Sequence, residues 1–120
     1  MNSKIEFVLP IKPTGELGLN SLYSTNKHWA KRNKQAKAIH ESVRNAMKSQ
    51  GIQKELFELP VAVDIAYNSR LDIDNHGYLA KLIIDGMKGY VIQDDSKKYV
   101  RKLTQEFWNQ PGIKVRVLSE

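Results

Sequence analysis

Cysteine is absent from the 120-residue sequence, so disulfide bonds and thiolate metal sites are excluded. No stretch approaches the roughly 18 to 20 consecutive apolar residues that cross a bilayer, and the opening MNSKIEFVLP has no signal-peptide core. Internal repeats and low-complexity tracts are also missing. With 41% apolar and 27% charged residues, the chain is expected to form one soluble domain over residues 1–120, in a reducing cytosol and not in a membrane.

The excess of positive charge is confined to one segment. Residues 27–50 hold seven lysines or arginines and one acid, Glu41, whereas the other residues are close to neutral and the whole chain carries +6. Such a patch favours a polyanion, nucleic acid first and an anionic membrane surface second. The alternative interpretation of this basic segment is a solvated helix face. The cations crowd toward the N-terminal half of a predicted helix, where they oppose the helix dipole, and this favours a functional surface.

Hydrophobic periodicity predicts six elements and one long loop. Strands alternate with period two, and helices carry apolar residues at spacings of three, four and seven. In chain order the prediction is a strand over 4–9, a loop over 10–26, a helix over 27–50, a strand over 61–67, a helix over 78–89, and a terminal hairpin formed by 97–108 and 113–118. The βαβαββ order predicts a small α+β domain, with a mostly antiparallel sheet of about four strands and two helices on one face.

The stretch RLDIDNH, residues 70–76, places two aspartates one residue apart in a basic protein. In an extended segment Asp72 and Asp74 would point to the same side. In a helix beginning near Asp74, that residue would share one polar stripe with Lys81 and Asp85.

Two further aspartates follow the second helix, since VIQDD brings Asp94 and Asp95 back on a short connection. Carboxylates gathered without histidine or cysteine are hard ligands suited to Mg²⁺ or Mn²⁺. Such an ion could activate water for phosphodiester cleavage, with Lys81 countering the developing charge.

Each acidic residue also has a simpler interpretation. Asp74 could be the N-cap of the second helix, Lys81 and Asp85 could form a solvated surface pair, and the QDDS stretch could be only a turn. Among the histidines, only His76 is close to the carboxylates, and it is interpreted as a loop residue. Trp29 and Trp108 are expected to anchor the core or an interface.

The order DIDN, then AKLIID, then QDD, resembles the RusA-type Holliday junction resolvases, which are small, dimeric, Mg²⁺-dependent endonucleases of bacteria and prophages. The motifs cover residues 70–96, and the looser layout of strand, loop, basic helix and terminal strands covers most of the chain. The resemblance implies that Asp72, Asp74 and Asp95 bind Mg²⁺, with Mn²⁺ as a substitute, and that Lys81 is the catalytic lysine. Asn75, Asp85 and Asp94 would support them.

Two departures from the family pattern concern the lysine. The gap from Asn75 to Lys81 is three residues longer than in the best-known members, with HGY as the insertion, and the connection from Asp85 to Asp95 is one residue shorter. An insertion that lengthens the loop before the helix keeps Lys81 usable. An insertion that rotates Lys81 away leaves Lys88 as the alternative.

The function that follows is a structure-selective endonuclease that cuts four-way junctions and similar branched DNA. It would be a homodimer that makes paired phosphodiester cuts in recombination and repair, a cytoplasmic protein encoded by a bacterium or a phage. Backbone phosphates would be held by the basic residues Lys31, Arg32, Lys34, Lys37, Arg70, Lys97, Lys98, Arg101 and Lys102. Two alternatives remain, a non-catalytic DNA- or RNA-binding module and a structural component of phage assembly.

Overall fold

The computed structural model describes residues 4–12 and 29–119, with side chains from residue 32 onward in the first helix. The elements are β1 (Lys4–Leu9), α1 (Trp29–Ser49), β2 (Val61–Tyr67), a 3₁₀ helix (Ile73–His76), α2 (Gly77–Met87), β3 (Val100–Phe107) and β4 (Ile113–Ser119). The two α-helices and four strands confirm the predicted α+β class. Most of the predicted loop over 10–26, Lys27 and His28, and the side chains of Trp29 and Lys31 lie outside the described residues.

The four strands form one sheet in the order β1-β4-β2-β3. β4 pairs antiparallel with both β1 and β2, whereas β3 pairs parallel with β2, so the sheet is mostly antiparallel as predicted. The prediction of a terminal hairpin is wrong, because β2 separates β3 from β4. The burial of each strand explains this arrangement. Alternate residues of β4 are fully buried and suit the interior of the sheet, whereas most side chains of β3 are exposed and suit an edge.

The link between β3 and β4 crosses over the carboxyl end of β2. The backbone N–H of Trp108 donates to the carbonyl of Tyr67 at 2.9 Å, and the Asn68 amide donates to the carbonyl of Gln110 at 3.0 Å. The indole N–H of Trp108 donates to the carbonyl of Gly112 at 3.0 Å. Trp108 therefore anchors this link and is not part of the described core, and the link fixes the loops at this end of the sheet.

Both helices contribute to one core with a single face of the sheet. α1 buries Ile39, Val43 and Met47, and α2 buries an apolar side that follows the predicted stripe: Leu79, Leu82, Ile83 and Met87. The helices approach closely where Gly86 meets Val43, since a Cβ on Gly86 would lie 2.9 Å from the Val43 Cβ. Arg44 of α1 donates to the carbonyls of Gly86 and Lys88, which ties the end of α2 to α1.

Candidate active site

Asp72 and Asp74 lie on the surface between β2 and α2, in and just before the 3₁₀ helix. Asp72 occupies the N-cap position but its side chain makes no capping hydrogen bond, and Asp74 lies in the first turn. The predicted extended geometry is wrong, because a 3₁₀ helix turns once every three residues and does not alternate sides. The N-cap of α2 is His76, so the interpretation of Asp74 as that cap is also wrong. Both carboxylates are left exposed to solvent.

His76 fixes the position of this acidic segment. Its side chain is fully buried, with its ring stacked on Tyr67 at a centroid distance of 4.0 Å and set edge-on to Phe107 at 5.8 Å. The interpretation of His76 as a loop residue is therefore wrong. The missed signal is its spacing, because His76 lies three and seven residues before Leu79 and Ile83 and continues the buried stripe of α2. The 3₁₀ helix is thereby packed against the ends of β2 and β3.

Tyr67 stacks on His76 and also forms a side-chain hydrogen bond. Its phenol is buried and donates to the side-chain oxygen of Gln105 at 2.7 Å. Burial raises the pKa of the Tyr67 phenol well above its ordinary value, because the phenolate would lose its hydration. The neutral phenol therefore persists in the folded protein at alkaline pH.

We expect Tyr67→Phe to lower the free energy of unfolding by about 1 kcal/mol at neutral pH, because Gln105 loses its partner. The wild-type protein should lose stability above about pH 10, where tyrosine ionises in the unfolded chain but not at Tyr67 in the folded one. Tyr67→Phe should lose less over the same range. Urea unfolding at pH 8 and above the ordinary tyrosine pKa measures both effects, and Tyr78→Phe controls for removal of a hydroxyl. Equal alkaline losses for Tyr67→Phe and the wild type would contradict the assignment.

A second acidic group gathers at the carboxyl end of α2 around one ammonium. Lys88 Nζ lies 2.9 Å from Asp85 Oδ1, 3.2 Å from Asp95 Oδ2 and 3.9 Å from Asp94 Oδ1. The hydrogen bond to Asp85, with a further one to Asp95, raises the pKa of the Lys88 ammonium above its ordinary value. Lys81 approaches the same group from one turn earlier, with its Nζ 3.0 Å from Asp85 Oδ2. This cation-filled cluster is called the Lys88 cluster below.

The backbone after α2 explains why Asp94 and Asp95 return to the helix. Gly89 adopts a positive φ of 75°, and its N–H donates to the carbonyl of Ile92 at 2.7 Å. The N–H groups of Tyr90 and Val91 donate to the carbonyl of Met87, which closes a tight turn over the helix end. The sequence predicted the short return correctly. The central position of Lys88 was not predicted from the spacing.

The structure does not bring all the predicted metal ligands together. Within residues 4–12 and 29–119, no group of three carboxylates or histidines is arranged to hold a metal ion. Asp95 belongs to the Lys88 cluster, whereas Asp72 and Asp74 lie just before and within the 3₁₀ helix. The carboxylate oxygens of Asp72 and Asp74 suit a hard cation as ligands. They are exposed, and neither residue takes part in a described ion pair. Binding by Asp72, Asp74 and Asp95 stays a prediction.

Most of the predicted phosphate-binding residues are exposed. They are Lys34 and Lys37 on α1, Arg70 after β2, Lys97 and Lys98 before β3, and Arg101 and Lys102 on β3. Arg32 is half-buried, and the Lys31 side chain lies outside the described part. None of the described helices combines the length and apolarity needed to span a bilayer. The exposed cations remain candidates for contact with a polyanion.

The fold and this site define a small α+β domain in which exposed aspartates lie among basic surface residues. Exposed carboxylates can bind hard cations, and exposed lysines and arginines can contact a polyanion. A sequence model of the family Endodeoxyribonuclease RusA matches residues 10–118, a range that begins just after β1 and includes both acidic groups, β2, β3 and most of β4. The chain therefore belongs to the RusA endodeoxyribonuclease family, as the motifs predicted. No curated protein sequence matches the chain significantly.

Proposed function

We propose that this protein is a Mg²⁺-dependent, structure-selective endonuclease that resolves Holliday junctions and similar branched DNA by paired cuts. The observation that carries the proposal is the pair of exposed carboxylates Asp72 and Asp74, at a 3₁₀ helix that buried His76 anchors, in a chain matched by an endodeoxyribonuclease family. Paired cuts require two sites, so a homodimer is the acting form. Its biological setting would be DNA recombination and repair in a bacterial or phage-infected cytoplasm.

Asp72, Asp74 and Asp95 would hold the metal, with Mn²⁺ able to substitute for Mg²⁺. When bound, the ion would supply a polarised phosphate and an activated water. The protein's own contribution is positional. His76 and Tyr67 hold the 3₁₀ helix and thereby orient the carboxylates, while Lys81 presents an exposed ammonium from the helix that follows.

A direct test is to incubate the protein with four-way and linear DNA of the same sequence, in Mg²⁺ and in EDTA. Symmetrical nicks in the junction that require Mg²⁺ support the proposal. Binding that is unchanged by EDTA, with no product at any metal concentration, would favour the second candidate, a non-catalytic nucleic-acid-binding module. The exposed cations on α1 and β3 are the observation that favours this second candidate, because they could contact nucleic acid without any cleavage.

Binding should depend steeply on salt, because lysine and arginine release counterions when they contact phosphates. The slope of log affinity against log salt should become shallower by about one unit in Lys37→Gln, if Lys37 contacts one phosphate. Lys54→Gln removes the same charge from the loop between α1 and β2, and should leave the slope unchanged. Anisotropy titrations at several salt concentrations measure both, and equal slopes in the two variants would reject Lys37 as a contact.

The two candidate lysines should separate experimentally. The Lys81 side chain is 65% exposed and, among the described residues, forms an ion pair with Asp85 alone, whereas that of Lys88 is 34% exposed and is held by three carboxylates. Lys81→Met should therefore lower the cleavage rate by about tenfold to a hundredfold, while changing the free energy of unfolding by a few tenths of a kcal/mol.

Lys88→Met is the matched variant for this comparison. It removes the cation shared by Asp85, Asp94 and Asp95, so it should destabilise the fold more than Lys81→Met does and slow the cleavage step less. Single-turnover cleavage and thermal melts of the two variants measure the difference. The reverse pattern would identify Lys88 as the lysine that acts on the phosphate.

A further inference from the structure

A cavity of about 850 Å³ lies at one end of the sheet, where three loops meet. Its walls come from the residues after β1, those after β2 and those before β4, and these ends are brought together by the register that pairs Leu9 with Ile113. The cavity is lined by Pro10, Ile11, Lys12, Asn68, Ser69, Arg70, Leu71, Pro111 and Gly112. Its volume is within the range of sites that bind small organic groups.

The described residues of the lining combine two cations with apolar walls, and none of them is acidic. Lys12 and Arg70 are exposed, so their charges can reach a ligand in the cavity. Pro10, Leu71 and Pro111 present apolar surface, whereas Asn68 and Ser69 supply polar atoms. This set fits a ligand with a flat apolar part, hydrogen-bonding edges and a negative charge, which is the chemistry of a nucleotide.

The walls are held in place without the ligand. The Asn68 amide donates to the carbonyl of Gln110 at 3.0 Å, which joins two of the loops and leaves the Asn68 side-chain oxygen as an acceptor. The Leu71 N–H donates to Ser69 Oγ at 3.0 Å, and the Trp108 indole holds Gly112. A preformed site loses less conformational freedom on binding than a loose one.

The cavity lies directly beside the acidic segment. Leu71 lines it and Asp72 is the next residue, so the two Cα atoms are about 3.8 Å apart. A DNA strand that places a phosphate at Asp72 and Asp74 therefore has a neighbouring nucleotide within reach of the cavity. Stacked bases in a duplex could not enter it, whereas bases near the crossover of a junction can unstack at lower cost.

We propose that this cavity takes one unstacked nucleotide of the DNA strand, next to the phosphate that is cut, with Lys12 and Arg70 on its phosphate and its base against the apolar walls. The inference rests on the proposed function and adds to it a site of base recognition. The cations alone would hold any sequence equally, whereas Asn68 and Ser69 can distinguish the edges of different bases. The cavity thus gives the endonuclease a preference for certain bases beside the cut.

The test uses 2-aminopurine, an adenine analogue whose fluorescence rises when it unstacks. A series of four-way junctions carries it at successive single positions around the crossover, and each is titrated with the full-length protein in EDTA so that no cleavage occurs. One position, adjacent to the cut mapped separately in Mg²⁺, should brighten several-fold on binding. In the double variant Lys12→Gln/Arg70→Gln, affinity should fall by about tenfold, and that brightening should be lost even at saturating protein.

The double variant Lys4→Gln/Lys54→Gln is the matched control, because it removes the same charge from exposed positions outside the cavity. It should keep the brightening at saturation. If the wild type cleaves junctions but no position brightens, or if both double variants keep the signal, the cavity assignment is overturned while the proposed function stands. If the wild type neither binds nor cleaves junctions, both are overturned.

Discussion

Replacing Asp74 with asparagine is expected to lower the rate of junction cleavage by about a thousandfold, because in the proposed mechanism the change removes a negatively charged metal ligand. The substitution keeps the shape of the side chain. Asp74 is exposed in the first turn of the 3₁₀ helix and forms no described ion pair, so the free energy of unfolding should hardly change. Junction binding in EDTA should be as tight as in the wild type or tighter, since one repulsive charge beside the phosphates has been removed.

Single-turnover cleavage in saturating Mg²⁺, combined with anisotropy in EDTA, separates the chemical step from binding. Glu6→Gln is the matched control, since it neutralises an exposed carboxylate on β1 and should cleave at the wild-type rate. An Asp74→Asn protein that cleaves within a few-fold of the wild type would reject Asp74 as a metal ligand. A loss of activity accompanied by an equal loss of binding would point to an effect on DNA contact instead.

The same substitution at Asp95 tests how the two acidic regions relate. In the structure Asp95 forms an ion pair with Lys88. It does not form a common metal-binding group with Asp72 and Asp74 among the described residues. If Asp95 binds the same ion as Asp74, metal binding must compete with the Lys88 ammonium for its carboxylate. Isothermal titration of Mn²⁺ into the wild type and into Asp95→Asn would then show weaker binding in the variant. Equal affinities would confine the metal to the Asp72 and Asp74 segment.

Local patterns were sufficient to predict the elements of this fold. Period-two alternation in KIEFVL and VAVDIAY predicted β1 and β2 with the same bounds that the structure shows. The apolar stripe of α2 was predicted because Leu79, Leu82 and Ile83 recur at helical spacing, and burial of that stripe against α1 and the sheet requires such spacing. These properties depend on neighbouring residues in the chain, so a single sequence contains them.

The order of strands could not be read in the same way. A short link between β3 and β4 favours a hairpin locally, yet β4 inserts between β1 and β2, where Ile113, Val115 and Val117 are fully buried in the core. Which strand occupies the interior depends on competition among all four. The link can cross the end of β2 because Trp108 and Asn68 fasten it there, and these contacts between distant residues have no signature in local spacing.

The candidate site shows the same division between local and non-local information. The residue types and order of Asp72, Asp74, Lys81 and Asp95 were sufficient to predict the family. The 3₁₀ conformation around Asp74 depends on His76 being buried against Tyr67 and Phe107, which come from two different strands. Likewise, the turn at Gly89 brings Lys88 close to the carboxylates. That approach depends on the three-dimensional path of the chain, which the spacing of residues does not predict.

Gly112→Ala is expected to lower the free energy of unfolding by about 3 to 5 kcal/mol, the largest loss of stability predicted here. Two effects add. Gly112 has a φ of +84°, a conformation that disfavours any residue with a Cβ. In addition, a Cβ there would lie 2.5 Å from the carbonyl oxygen of Leu9, and this backbone atom cannot move aside without disturbing the pairing of β1 with β4.

Gly51→Ala separates the two effects. Gly51 has a nearly identical φ of +81°, but a Cβ there would meet nothing within 4 Å, so only the conformational cost of about 1 to 2 kcal/mol applies. Urea unfolding of both variants should therefore show Gly112→Ala to be the less stable by about 2 kcal/mol or more. Equal losses would mean that β4 does not approach Leu9 so closely. The cavity walls at Pro10 and Pro111 would then be further apart than the structure shows. The cavity assigned to a nucleotide would be correspondingly wider.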